Sequence, residues 1–417
     1  MVMEEWISND RSTRRFYVIC LTLDGIPLFS RSNGNLPNLP FPVMGSLNGV
    51  HMFAKNNLTE LGFTTADNAS ITWKEFHKIK IIIINFDRNV TEYHLNLMVE
   101  NVYKCMVMTI GENEFTKINN VEKLKKKTKL SLPLVMKCLN PTQLLSNVTQ
   151  TTDIVLCSEI AVIQNTLNAY TEECQSEFGC LILHGKVIAG TEKFWQLLPI
   201  ETSLMLHLME TIPLLSASDI PIYLPNGSPT VPHRLIAINL LENIKVMIVC
   251  GPEPSLQDVL HKYAKKYWMP LTQILQSCSR LYPRWFPPEI KLDINLLGFV
   301  LVNVTEGKCL SSFHPHGNMT GADQVYLSEK EKRKCALVSF YRTVVGDIFV
   351  RIDEEMKCKK FPHEVIETYS CTDQYKCYAL QSSNHQLFTL FGNDVPSYSL
   401  GNITKQILRQ LTKDRII

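Results

Sequence analysis

The sequence lacks most of the features that settle a protein's class at a glance. No apolar run comes near the ~20 residues that span a bilayer. The stretch Phe16 to Leu23 stops at Asp24-Gly25, follows a polar segment from Met1 to Arg15, and leads to no small-residue cleavage site. It reads as a buried strand ending in a turn, not as a secretory leader. An excess of one charge is also missing: 42 Lys and Arg against 40 Asp and Glu leave a net charge of +2. That balance argues against a strongly basic surface that tracks phosphates. The chain carries no G-x-x-x-x-G-K-[ST] loop, no G-x-G-x-x-G, no G-x-S-x-G, no H-E-x-x-H and no C-x-x-C. These absences remove the usual nucleotide-binding, hydrolase, zinc-protease and zinc-knuckle readings.

What is present is ordinary globular material. Hydrophobic residues make up 45% and charged residues 20% of 417 positions, enough for about three compact units. The 13 cysteines are odd in number and irregularly spaced, which suits buried thiols in a reducing compartment better than a disulfide framework. Triplets such as Asn57-Leu-Thr59 and Asn303-Val-Thr305 would carry glycans only on the secretory route. The expectation is a soluble, cytoplasmic protein.

One design occurs three times: an apolar strand, a tight polar turn, and a second short strand. The copies run from Phe16 to Ser30, Phe178 to Ala189 and Leu297 to Leu310, with Asp24-Gly25, His184-Gly185 and Glu306-Gly307 at the turns. Each places glycine where a hairpin needs a positive φ. Each hairpin is followed by a domain's length of chain, which predicts three domains.

The elements after each hairpin repeat as well. In the first unit a short helix is predicted from Ser46 to Leu58, strands at Ile71 to Phe76 and Lys80 to Phe86, and an amphipathic helix from Thr91 to Ile110 stopped by Gly111. A further helix carries Phe115, Ile118, Val121 and Leu124 on one stripe. The second unit opens with a helix bearing Ile160, Ile163, Leu167, Tyr170 and Cys174, and continues after its hairpin with a helical Phe194 to Ile212. Strands at Ile220 to Leu224, Arg234 to Leu240 and Lys245 to Cys250 follow, then a helix opened by Ser255 and Asp258. In the third unit Ser328 and Glu331 cap a helix with Cys335, Val338, Tyr341 and Val345. Strands at Tyr375 to Gln381 and Gln386 to Phe391 and a terminal helix with Ile403, Ile407 and Leu411 complete it. The pattern is an α+β arrangement of helices on antiparallel sheets. Proline punctuation at Pro133 to Pro141 and Pro283 to Pro288 marks the expected joins.

The chemistry-bearing residues do not gather. His314-Pro-His316 could offer two metal nitrogens, but a polar loop explains it better, because no partner ligands lie nearby in sequence. Cys371 and Cys377 do not match zinc spacing. Cys180 and His184, at i and i+4 of a strand, would project from one face, yet no third group orients them. No catalytic residue, metal or cofactor is assigned. The run Lys123-Leu-Lys-Lys-Lys-Thr-Lys129 fits a solvated helix face, and Lys123, Lys125, Lys126, Lys127 and Lys129 are its candidates for contact with acidic lipid. Gly45-Ser-Leu-Asn-Gly49 in a helix is unusual, since glycine costs about 1 kcal/mol there relative to alanine. Either the helix packs closely on its own sheet or another backbone approaches it. The proline-rich Pro221 to Arg234 reads as a short edge strand, an ordered loop and entry to the next strand.

Three segments, Gly45 to Phe53, Asn120 to Lys126 and Tyr223 to Leu235, with the hairpin Gly25-Ile-Pro-Leu-Phe29, resemble the tri-longin family. In the third unit the resemblance lies in the order of elements. It implies three tandem longin domains, each an antiparallel five-stranded sheet flanked by helices, over residues 1–140, 141–282 (with a connector helix first) and 283–417. It further implies a non-catalytic subunit that pairs with an Inturned-like tri-longin protein, in an assembly with a Fritz-like WD-repeat protein and a Rab-type small GTPase. Such pairs promote nucleotide exchange; the alternative is a trafficking adaptor that binds GTPase without exchange. The roles implied are cilium assembly, vesicle trafficking and planar cell polarity, at the cytoskeleton and the cilium basal body. In this family the first domains of both partners pair. Gly45, Ser46, Leu47, Asn48, Gly49, Val50, His51, Met52 and Phe53 are therefore the expected partner interface.

Overall fold

A computed structural model describes residues 15–33, 36–88, 90–140, 144–212, 216–317, 324–349 and 366–413. The first unit contains β1 (Phe16–Thr22), β2 (Pro27–Asn33), α1 (Phe41–Asn56), β3 (Phe63–Ala66), β4 (Ala69–Phe76), β5 (Ile79–Asn85), α2 (Glu92–Ile110) and α3 (Val121–Leu139). Its sheet has the order β2-β1-β5-β4-β3, with every pairing antiparallel. The isoleucine run of β5 is buried along its whole length because β5 is central and covered on both faces. Ile79, Ile81 and Ile83 face α2 and α3, while Ile82 and Ile84 join Tyr17, Ile19, Met44 and Trp73 beneath α1.

The same topology recurs twice. After a two-residue strand β6 (Thr152–Asp153), the second unit has α4 (Ile160–Glu173), β7 (Phe178–Leu183), β8 (Lys186–Gly190), α5 (Pro199–Thr211), β9 (Ala217–Leu224), β10 (Ser228–Leu241) and β11 (Ile244–Cys250). Their order is β8-β7-β11-β10-β9. A helical run over 256–271 and α6 (Thr272–Ser279) close the unit. The third unit has β12 (Leu296–Asn303), β13 (Lys308–Ser312), α7 (Gln324–Thr343), β14 (Ile366–Cys371), β15 (Tyr375–Gln381), β16 (His385–Gly392) and α8 (Leu400–Thr412). Its sheet runs β14-β15-β16-β12-β13-β6. The hairpin turns fold as expected, with positive φ at Gly25, Gly185 and Gly307.

Several boundaries differ from the sequence expectation. Helix α1 starts at Phe41, because Pro42 suits the first helical turn. The stripe from Phe115 to Leu124 is split: a single turn ends at Thr116, and α3 restarts behind Asn120, whose side chain accepts a hydrogen bond from the Lys123 N–H. Pro133 does not end that helix; it sits exposed inside α3, which continues to Leu139. The segment Phe194 to Ile212 breaks before Pro199 into a short turn and α5. Much of the supposed loop before Arg234 is strand, since β10 begins at Ser228 and absorbs its prolines at a register irregularity against the edge strand β9. Helix α7 opens at Gln324, so Ser328 lies within it and does not cap it. The third sheet has six strands because β6, from the chain between the first two units, adds in parallel to β13.

Packing joins the units. One continuous core holds α2, α3 and α5 between the first sheet and the inner face of the second, which contributes Cys180, Ile182, Leu235, Ala237 and Met247. The outer face of the second sheet shares another core with the third sheet and α8. Beside that second join lies a buried ion pair. Lys186 Nζ is 3.7 Å from Asp153 Oδ1, donates to Ser311 Oγ at 2.9 Å, and lies 4.7 Å from the Trp285 ring centre. Asp153 Oδ2 accepts the Leu145 and Ser146 N–H groups at 2.9 and 2.8 Å. Burial pushes the Asp153 carboxyl up despite Lys186, and pushes the Lys186 ammonium down despite Asp153.

Candidate partner interface

Helix α1 is built with two unlike faces. Its inner face presents Met44, Leu47, Asn48 and His51 to the first sheet. Trp73 Nε1 donates to the Leu47 carbonyl at 3.2 Å, and Lys80 Nζ, fully buried in β5, donates to Asn48 Oδ1 at 2.9 Å. Glu75 stands at the centre of the remaining ionisable groups: Lys55 Nζ at 2.6 Å, Lys80 Nζ at 3.7 Å and His51 Nδ1 at 3.8 Å. Burial works against the Glu75 carboxylate, but the Lys55 hydrogen bond and the charges of Lys55 and Lys80 hold its pKa below the usual range. Burial, followed by the charge of Lys80, lowers the His51 pKa and keeps the ring neutral. Burial also lowers the Lys80 pKa, with Glu75 opposing. The turn of the first hairpin presses on the same point, since a Cβ on Gly25 would lie 2.6 Å from Asn48 Nδ2. Orientation of α1 is thereby fixed by polar contacts that would be costly to break.

The outer face is apolar and open. Phe41, Val50, Met52 and Phe53 are 63%, 55%, 42% and 71% exposed, and Leu58 just beyond the helix is 99% exposed. Gly45 and Gly49, one helical turn apart, lie on this face, and a Cβ at either would meet nothing within 4 Å. Close packing on its own sheet is therefore not why these glycines are there. Of the nine residues expected at an interface, Gly45, Ser46, Gly49, Val50, Met52 and Phe53 point outward, whereas Asn48 and His51 are buried anchors and Leu47 is half-buried against the sheet. The sequence reading missed Phe41, Val43 and Leu58, which extend the apolar face; the signal was Phe41-Pro-Val43 at the start of the helix.

The lysine run occupies the first half of α3. Lys123, Lys126 and Lys129 are exposed beside Leu130, which is 69% exposed; Lys125 is half-buried, and Lys127 is tied to Glu114 at 2.6 Å. Cys180 and His184 do not come together. Cys180 sits in the core facing the first unit, where burial raises its thiol pKa, while the left-handed backbone at His184 ends strand periodicity and stacks the ring on Tyr282 at 4.6 Å. His316 is exposed, and His314 is half-buried with its pKa lowered to about 4 by burial and nearby cations. Among the described residues no group of three or more His, Cys, Asp or Glu is placed to hold a metal, and no helix is long and apolar enough to cross a membrane.

Comparison with known families matches all three units in order. Residues 16–138 match the first longin domain of FUZ, MON1 and HPS1, residues 174–269 the second, and residues 295–415 the third. Protein fuzzy homolog of Xenopus tropicalis is 36% identical over 411 residues, covering 95% of this chain and 98% of that protein. Protein fuzzy homolog of Homo sapiens is 32% identical over 412 residues, covering 95% and 97%, and that of Mus musculus is 31% identical over 409 residues with the same coverage.

Proposed function

The chain belongs to the fuzzy family of three-longin-domain proteins, and from that membership we propose that it is a non-catalytic subunit of a ciliogenesis and planar-cell-polarity effector complex. In this reading it pairs through its first domain with an Inturned-like tri-longin protein. The pair, with a Fritz-like WD-repeat protein, engages a Rab-type small GTPase and promotes nucleotide exchange at the cytoskeleton and the cilium basal body. The observation that carries the reading is the outer face of α1, where two glycines form an open floor among Phe41, Val50, Met52 and Phe53 on a helix locked to its sheet from below. A glycine pair lets a second backbone approach closely, and exposed aromatic and methionine side chains supply the apolar contact. An exchange factor needs no covalent chemistry: it favours a GTPase conformation that holds nucleotide poorly, and that differential binding speeds release.

The test is co-expression with an Inturned-like chain, then release of a fluorescent guanine nucleotide from the GTPase with and without the heterodimer. Heterodimer formation with accelerated release supports the whole reading. A stable heterodimer that binds the GTPase and leaves the release rate unchanged would reduce it to the adaptor. No heterodimer at micromolar concentrations would refute the pairing.

A further inference from the structure

We propose that Cys157 and Cys278 form a redox-modifiable dithiol that a hydroperoxide converts to a disulfide, fastening the strap of residues 154–157, which packs between the second and third units, to the end of α6. Their sulfur atoms are 3.4 Å apart in the reduced structure, and Cys157 Sγ is also 3.3 Å from Glu159 Oε2. Cys157 is 4% exposed, with Ser158 exposed beside it and Glu159 half-buried, and Cys278 lies fully buried behind Cys157. Contact with Cys157 lowers the Cys278 thiol pKa, against burial and the Glu159 charge, while the same contact raises that of Cys157. By contrast, burial alone raises the thiols of Cys20 and Cys180.

The chemistry balances with one equivalent of hydroperoxide. A thiolate of the pair attacks a peroxide oxygen, the O–O bond breaks, and the alcohol or water leaves with the released proton, giving a sulfenic acid. The second sulfur attacks the sulfenyl sulfur, its proton passes by way of the Glu159 carboxylate to the sulfenic oxygen, and that oxygen departs as water. Two thiols are oxidised by two electrons and the peroxide is reduced by two.

The position gives the bond a consequence. Residues 154–157 form a strap stitched to both neighbours: the Ile154 N–H donates to the Cys309 carbonyl at 2.9 Å, Val155 to Val187 at 2.8 Å, and Leu156 to Trp285 at 3.0 Å. Cys278 lies near the end of α6, immediately before the segment that carries Trp285 into the third unit. A disulfide would therefore tie the strap to the helix that launches the inter-unit connection.

The test uses the full chain in its native state, treated with hydrogen peroxide, blocked with a maleimide and digested without reductant. The expected result is a linked peptide pair containing Cys157 and Cys278, loss of two titratable thiols, and a melting midpoint raised by several degrees and restored by dithiothreitol. Cys157→Ser and Cys278→Ser should each abolish the link and the shift. Recovery of both thiols as maleimide adducts, or over-oxidation of one without a link, would overturn the proposal. A link that leaves the melting midpoint unchanged would overturn the fastening. The wild-type peptide map decides the chemistry even if a variant fails to fold.

Discussion

Replacing Gly45 and Gly49 by alanine should make the protein more stable and its partner complex weaker. Each glycine lies inside α1, and an added Cβ meets no atom within 4 Å, so no steric cost offsets the gain. In an exposed helix interior, glycine to alanine is worth about 0.8–1 kcal/mol, so the pair should add close to 2 kcal/mol. With unfolding entropy near 2 cal/mol/K per residue, a 417-residue chain melting as one unit would gain about 2 °C. At a helix–helix contact, two methyl groups on the glycine floor hold the partner backbone away and strip van der Waals contact from Phe53 and Met52. The assay is paired: thermal and urea unfolding of the free chain, and calorimetric affinity for the Inturned-like partner. Higher stability with binding weakened tenfold or more is the expected outcome. Higher stability with unchanged affinity would show that the glycines touch no partner. Lower stability would show that the outer face is not open, and the reasoning about α1 would fail at its first step. Phe53→Glu, at a site 71% exposed, supplies the complementary case: stability within about 0.5 kcal/mol of wild type, with binding lost.

Three further outcomes follow from the same structure. Asp153→Asn keeps a side-chain oxygen for the Leu145 and Ser146 N–H groups but leaves Lys186 buried without its counter-ion, and should destabilise the chain by about 3–5 kcal/mol in urea unfolding, whereas pairing it with Lys186→Met should restore most of that loss; a double variant as unstable as the single would refute the pairing. His207 is fully buried, and burial lowers its pKa from 6.5 to about 4, so the fold holds it neutral. Its contribution is complete above pH 6.5 and is lost as the unfolded chain takes up the proton on acidification. It should cost roughly 2–3 kcal/mol between pH 7 and pH 4.5, a slope that His207→Gln should flatten in urea titrations at the two pH values. Finally, Lys123→Glu, Lys126→Glu and Lys129→Glu together should leave stability nearly unchanged and reduce co-sedimentation with vesicles containing phosphatidylserine; undiminished sedimentation would remove this face from any membrane role.

The threefold repeat is written locally, because a hairpin is a local event: glycine at Gly25, Gly185 and Gly307 and alternating apolar residues on either side specify it within about fifteen residues. So are α2 and the central strands, since a stripe on one face or an isoleucine run needs only a core somewhere to face. Which core was a tertiary matter. Nothing local says that Thr152 and Asp153 would join a sheet whose other strands begin at Leu296, or that Lys186 would be buried against them, because those pairings depend on the third unit docking on the second. The open glycine pair on α1 was legible as an oddity and not as a surface. Only the positions of Lys80, Glu75 and Trp73 decided which side of that helix turns inward, and hence that both glycines face solvent. Polar anchors separated by 20 to 32 residues in sequence leave no periodic signal, so a helix's rotation about its own axis becomes visible only when its sheet is in place.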